Sequence, residues 1–353
     1  MKRAIVLCAA AVVGVALIPA PARAVTTTTV PLPFLWPTSA LTDVEADSPS
    51  DVWVTGIQGA YCLKLPWDLG CRVGSSGNPV IRRWTGSSWR EYPQPDWSSE
   101  GGGVISITTS GGEVWATGRF DHSYRRIARF DGTAFQDVAL PAPAVGFVHT
   151  GPAGTWTAPT DPGSQAVFRW SGTAWAHMPV PAGLWKVTGV SSTQADEAFA
   201  VGLRAPQTPA VGRAALARWD GTSWHDIALP EAVGQFRPSE VAAAGPGEAW
   251  MLAEENGLAQ YKGGEWRLVG RPPNGWSPIG LHLDGTGAPV VVAAGRGTGP
   301  EFGAVYRYSA GSWQKLADGS ATVFRAVSHV PGTATLWAVG ARDDNATAVT
   351  IEP

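Results

Sequence analysis

The residues in this chain best suited to chemistry are six polar side chains in short stretches of alternating apolar character. They are Asp43 and Glu45 in LTDVEA, His149 in VGFVHT, Glu240 in SEVAAA, and His282 and Asp284 in GLHLD. Two carboxylates facing one cavity could cleave a glycosidic bond, one as general acid and the other as base or nucleophile. Each of the six also suits a solvated strand end. A second group is aromatic: Trp36, Trp67, Trp97, Trp185 and Trp276 fall outside every repeated phrase of the chain. Indole faces beside a cavity stack on sugar rings or apolar ligands. The alternative for these five is a covering role over a hub, with no ligand in contact.

Other chemistries lack their signatures. The histidines at 122, 149, 177, 225, 282 and 329 show no H-x-x-x-H spacing, and no nucleophile elbow, phosphate loop or calcium loop occurs. Neither a metal nor a cofactor is expected. The formal net charge of −3, without basic runs, leaves no electrostatic footprint for nucleic acid.

A repeat positions these groups. RWTGSSW, RFDGTAF, RWSGTAW, RWDGTSW, QYKGGEW and RYSAGSW place their second aromatic at Trp89, Phe135, Trp175, Trp224, Trp266 and Trp313, with spacings of 46, 40, 49, 42 and 47 residues. An upstream phrase recurs seven times: DVWVTG from 51, EVWATG from 113, GTWTAP from 154, EAFAVG from 197, EAWMLA from 248, VVVAAG from 290 and LWAVGA from 336. Short alternating stretches precede these phrases, and Gly, Ser and Asp pairs punctuate the whole. Each unit therefore reads as four short strands joined by tight turns.

Four-stranded units of this length are the sequence form of β-propeller blades. A lone blade cannot bury both faces, so blades stack radially, and the aromatics fill the wedges between them. The last unit lacks a fourth strand, while VTTTTVPLP near the start resembles the ends of fourth strands such as DIALP. The expectation is an all-β, seven-bladed β-propeller of four-stranded antiparallel blades. Residues 25–33 would complete the seventh blade beside 346–352, removing the open edge of the array. A six-bladed ring with an accessory sheet is the alternative.

These motifs resemble those of secreted bacterial β-propellers with Trp-rich repeats, in the style of the Kelch and galactose-oxidase-like propellers. The resemblance covers almost all of the chain after the leader and implies architecture more than activity. DGTSW lacks one residue of the Asp-box pattern, and the Kelch double glycine appears only sporadically, as at Gly111 and Gly112. A copper-radical site would need a Cys linked to a distant Tyr, whereas Cys62 and Cys71 sit nine positions apart and suit each other.

Residues 1–24 read as an export signal: Lys2 and Arg3, an apolar run to Leu17, then Ala22-Arg23-Ala24 as a cleavage site. Residues 25–353 form one domain. Without the leader, 23 basic residues face 29 acidic ones, a net charge of about −6. In an exported chain, Cys62 and Cys71 read as a disulfide bracing one loop. Length variation collects in second-to-third connections, at 57–79, 119–126, 203–213 and 296–303, so one face of the ring is elaborated and the other plain. Binding commonly sits on such loops. The function expected is a secreted, extracellular, monomeric binding module for a glycan or protein ligand, free of the membrane after cleavage. The alternative is a carbohydrate-active hydrolase or lyase using channel-mouth carboxylates.

Overall fold

The computed structural model describes residues 24–63, 73–75, 77–94, 97, 103–120, 124–205, 214–253, 257–273, 276–295, 303–319 and 322–353. Residues 1–23 of the expected export signal, Trp67 and Cys71 lie outside the described residues. Cys62 falls on a short strand, Tyr61–Leu63, that pairs with Val73–Ser75 inside one long connection.

Seven sheets of four antiparallel strands make up the body. Blade 1 is Ala40–Ser48, Asp51–Gln58, Asn78–Trp84 and Trp89–Glu91. Blade 2 is Gly103–Ser110, Glu113–Phe120, Tyr124–Phe130 and Phe135–Val138, and blade 3 is Val145–Gly151, Gly154–Pro159, Ala166–Trp170 and Trp175–Pro179. Blade 4 is Lys186–Gln194, Glu197–Leu203, Ala214–Trp219 and Trp224–Ile227, and blade 5 is Pro238–Gly245, Glu248–Ala253, Gly257–Lys262 and Glu265–Gly270. Blade 6 is Ser277–Leu283, Pro289–Ala294, Gly303–Ser309 and Ser312–Ala317. Blade 7 takes Val323–His329, Leu336–Arg342 and Asn345–Glu352 from the end of the chain and Thr26–Thr29 from its start. The first strand of every blade touches that of the next, and blade 7 returns to blade 1, so the ring is closed.

Closure is made by antiparallel pairing of Thr26 to Thr29 with Glu352 to Val349, as the sequence led us to expect. The pairing continues past the strand, where Val30 N–H donates to the Ala348 carbonyl at 2.9 Å.

The repeated phrases have one physical purpose. In four wedges the aromatic of the second strand packs against two aromatics of the following blade, one ending the third strand and one opening the fourth. Trp115 lies 5.3 and 5.6 Å from Trp170 and Trp175, and Trp156 lies 5.4 Å from both Trp219 and Trp224. Trp53 does the same with Phe130 and Phe135, and Trp337 with Trp84 and Trp89. Phe199 meets Tyr261, and Trp250 meets Tyr308. Indole N–H groups add directed contacts: Trp89 donates to the Pro31 carbonyl, Trp175 to Ala139 and Trp266 to Ala228, each on the preceding blade. The wedge between blades 6 and 7 is aliphatic instead, built from Val290, Val292, Leu336, Val349 and Ile351 with Val25 against it. Six aromatic phrases thus serve six wedges, and the closing strand serves the seventh.

The D-G-T phrases are turns. Asp131 accepts from Ala134 N–H and from the N–H and hydroxyl of Thr133, and Asp220 likewise from Thr222 and Ser223. These bonds hold both carboxyls well below the usual carboxylate range. The next residue turns with φ of 100° at Gly132 and 94° at Gly221, a region that favours glycine.

Candidate functional site

One face of the ring carries the fourth-to-first and second-to-third connections. Among the described residues its most exposed aromatics sit on the strap that runs from the closing strand to blade 1. Phe34 is 73% and Trp36 61% exposed, and their rings meet edge-on at 5.7 Å. The strap beneath them is fixed. Arg82, only 4% exposed, donates to the carbonyls of Pro33 and Phe34 at 3.1 and 2.8 Å and pairs with Glu91 at 2.7 Å. Gln58 accepts the Trp36 N–H at 3.1 Å. A buried guanidinium spends its donors here on backbone, so two large rings project to solvent from an anchored chain.

The other off-repeat tryptophans divide. Trp185 is half-buried, its indole nitrogen against Gly163 of the blade 3 connection. Trp276 is half-buried against Tyr306, 6.3 Å away. Trp97 corrects the expectation of a loop residue facing a ligand. It is 2% exposed, packs with Trp53, Tyr92 and Phe135 between blades 1 and 2, and donates its N–H to Asp137 at 2.8 Å. Phe34 escaped the sequence reading. Its signal was the apolar run PLPFLWP, too exposed for a propeller strand end.

The hub explains the polar residues of the first strands. A first strand has a ladder partner on one edge only, so its other N–H groups need acceptors. Each first strand carries a bulge near its start, and Asp43 and Glu240 stand directly after it in blades 1 and 5. Asp43 accepts the N–H of Ile107 in blade 2 at 2.9 Å, and Glu240 that of Leu281 in blade 6 at 2.7 Å. Hydroxyls do the same one step on. Thr108 accepts from Thr150, Ser191 from Ala243, and Ser328 from Ala46, each bond spanning two blades. Ser328 in turn donates to Glu45 at 3.1 Å. The structure therefore brings Asp43 and Glu45 together on one strand and leaves Glu240 in another blade.

Burial sets their charge states. Desolvation lifts Asp43 to about 7 against its two backbone hydrogen bonds, and it lifts Glu45 well above its ordinary value, with the charge of Asp43 adding to the rise. His149 and His282 are pushed down to about 4 by burial and stay neutral, and among the described residues the His149 Nε2 has no hydrogen-bond partner. Asp284 departs from the expected set. It lies in the first-to-second-strand turn on the plain face, where it accepts from Thr286 and Ala288 and pairs with Arg307 at 2.6 Å. Among the described residues no cluster of His, Cys, Asp and Glu is arranged to hold a metal ion.

Asp43 gives a signed pH effect. Unfolded, its carboxyl is ionised above about pH 4, whereas folded it keeps its proton to about 7. The unfolded chain then binds fewer protons between these values, so stability falls as pH rises through that window and levels above it. His149 and His282 give the opposite slope below about 6.5, and they cancel when two variants are compared. From pH 5 to 7.5, Asp43→Asn is expected to gain on the wild type by roughly 2 kcal/mol. Urea unfolding at the two pH values reads the change, and parallel pH dependences would refute it.

Comparison with known proteins agrees with the propeller fold. No family model and no curated protein matches the chain. Among solved structures, a streptogramin B lyase superposes with a TM-score of 0.62 at 12% identity, covering 93% of this chain and 97% of that one. The propeller domain of Cps50 (Swd1) from Myceliophteria thermophila gives 0.60 at 13%, covering 93% and 100%. YCF48 bound to a D1 peptide gives 0.58 at 12%, covering 94% and 95%. The likeness is one of fold. It joins an enzyme with a peptide-bound protein, so activity has to be read from the site.

Proposed function

We propose that this chain is an exported binding module that captures a glycan or a protein segment on its loop-rich face without altering it. The observation that carries the reading is the Phe34 and Trp36 pair, exposed to water on a strap anchored by buried Arg82. Exposed aromatics on rigid backbone bury large area at small entropic cost when a ligand arrives. Trp185 and Trp276, half-exposed on the same face, extend the surface. The hub acids have another use, since Asp43 and Glu240 each bolt one blade to the next. The fold also serves YCF48, which has been seen bound to a peptide.

One observation favours a second reading, a carbohydrate hydrolase or lyase. Asp43 and Glu45 share a strand, and a carboxyl held near 7 is poised to exchange a proton at neutral pH. Capture from polysaccharide and peptide libraries, with mass analysis of what elutes, separates the two. Ligand recovered intact, and lost from a Phe34→Ala/Trp36→Ala variant, is the expected result. Shortened or unsaturated products in the eluate would establish the enzyme instead.

A further inference from the structure

The plain face carries a second repeating device. Opposite the wedge residue, the third strand presents an arginine that reaches an acid at the start of the second strand. Arg83 pairs with Asp51 at 2.7 Å, Arg129 with Glu113 at 2.7 Å, and Arg218 with Glu197 at 2.5 Å. Blade 6 uses Arg307 with Asp284 from the turn, and blade 5 replaces the arginine by Gln260, which donates to Glu248 at 2.6 Å. The guanidinium also lies over the wedge indole, as Arg83 does over Trp53 and Arg129 over Trp115.

Blade 3 keeps the arginine and lacks the acid. Arg169 stands opposite Trp156 in the ladder, over the rings of Trp156 and Trp219 at 5.3 and 5.9 Å. The position of Asp51 and Glu113 is taken by Gly154, whose φ is 106° and where a Cβ would come within 3.0 Å of the Arg169 Nε. Arg169 is half-buried, and among the described residues its guanidinium makes no ion pair and no hydrogen bond. A guanidinium held on aromatic rings with its donors unspent is a fork for a planar carboxylate. The same molecule shows which carboxylates fit the place, since an Asp fills it in blade 1 and a Glu in blade 2.

We infer that Arg169 is a recognition point for an Asp or Glu side chain of a partner polypeptide, on the face opposite the long loops. The partner's carboxylate takes the place that the chain's own acid occupies in blades 1, 2 and 4. The site is independent of the loop-face reading.

Titration of the full chain with acetyl-Gly-Glu-Gly-amide, its Gln counterpart and glucuronate tests this, read at the indole N–H resonances of Trp156 and Trp219. The Glu peptide is expected to shift both signals saturably. The Gln peptide, or the Arg169→Gln variant, is expected to bind at least about tenfold more weakly, the loss of one charge-assisted hydrogen bond. Equal response to the two peptides, or unchanged affinity in the variant, would overturn the site. Tighter binding of glucuronate than of the Glu peptide would overturn its assignment to a polypeptide. If Arg169→Gln fails to fold, the two peptides on the wild type decide the matter alone.

Discussion

Removing residues 25–33 is expected to lower the melting temperature by on the order of 10 °C or more, far beyond the effect of trimming a loose tail. The segment supplies the fourth strand of blade 7, pairing Thr26 to Thr29 with Glu352 to Val349. Val25 packs against the wedge between blades 6 and 7, and Val30 and Leu32 against the wedge between blades 7 and 1. Three apolar side chains leaving such sites cost several kcal/mol, and each kcal/mol is worth about 2–4 °C in a domain of this size. The deletion also removes the Pro33 carbonyl that accepts from buried Arg82 and the Pro31 carbonyl that accepts from the Trp89 indole at the surface. Calorimetry of the shortened chain reads the result directly. A melting point within a degree of the wild type would mean that the ring does not depend on its closing strand.

Trp156→Ala is expected to destabilise the fold by about 3–5 kcal/mol, the range for truncating a large buried aromatic. Trp156 is fully buried in the wedge between blades 3 and 4, in contact with Trp219 and Trp224 and beneath Arg169. Neighbouring strands are held by their own ladders and cannot collapse into the space, so most of the cavity remains. Trp36→Ala removes an equally large side chain from water-exposed strap and is expected to change stability by no more than about 0.5 kcal/mol. Urea unfolding of the two variants side by side separates a wedge residue from a surface one. Similar losses in both would place Trp36 in the core.

The architecture was readable because its signals are local. Strand period, the turn glycine of each phrase and the paired aromatics recur within single units, and the ring follows from repeating them. Even the closing strand could be found from a missing fourth element and a matching phrase at the other end. The site was harder for reasons that are not local. Trp97 lies off the repeat, and its depth depends on Asp137, forty residues away in the next blade. Asp43 and Glu240 look like free acids along the strand, yet their acceptor role is set by N–H groups of the following blade. Asp284 carried a usable clue, because Asp284-Gly285-Thr286 repeats the turn phrase of Asp131 and Asp220. Arg169 becomes visible only once five other blades show which residue its strand partner lacks.

The proposed ligand binding by the loop face, with the hub acids holding the ring together, is tested by the affinity of two double variants for the ligand captured by the wild type, read by calorimetric titration at pH 7.5. Phe34→Ala/Trp36→Ala should weaken binding by tenfold or more, since exposed aromatic anchors of this kind carry roughly 2 kcal/mol each when buried by a partner. Asp43→Asn/Glu45→Gln should bind within about twofold of the wild type, because both side chains sit in blade-to-blade contacts. The reverse pattern, with binding kept by the strap variant and lost from the hub variant, would move the binding site from the loop face to the hub.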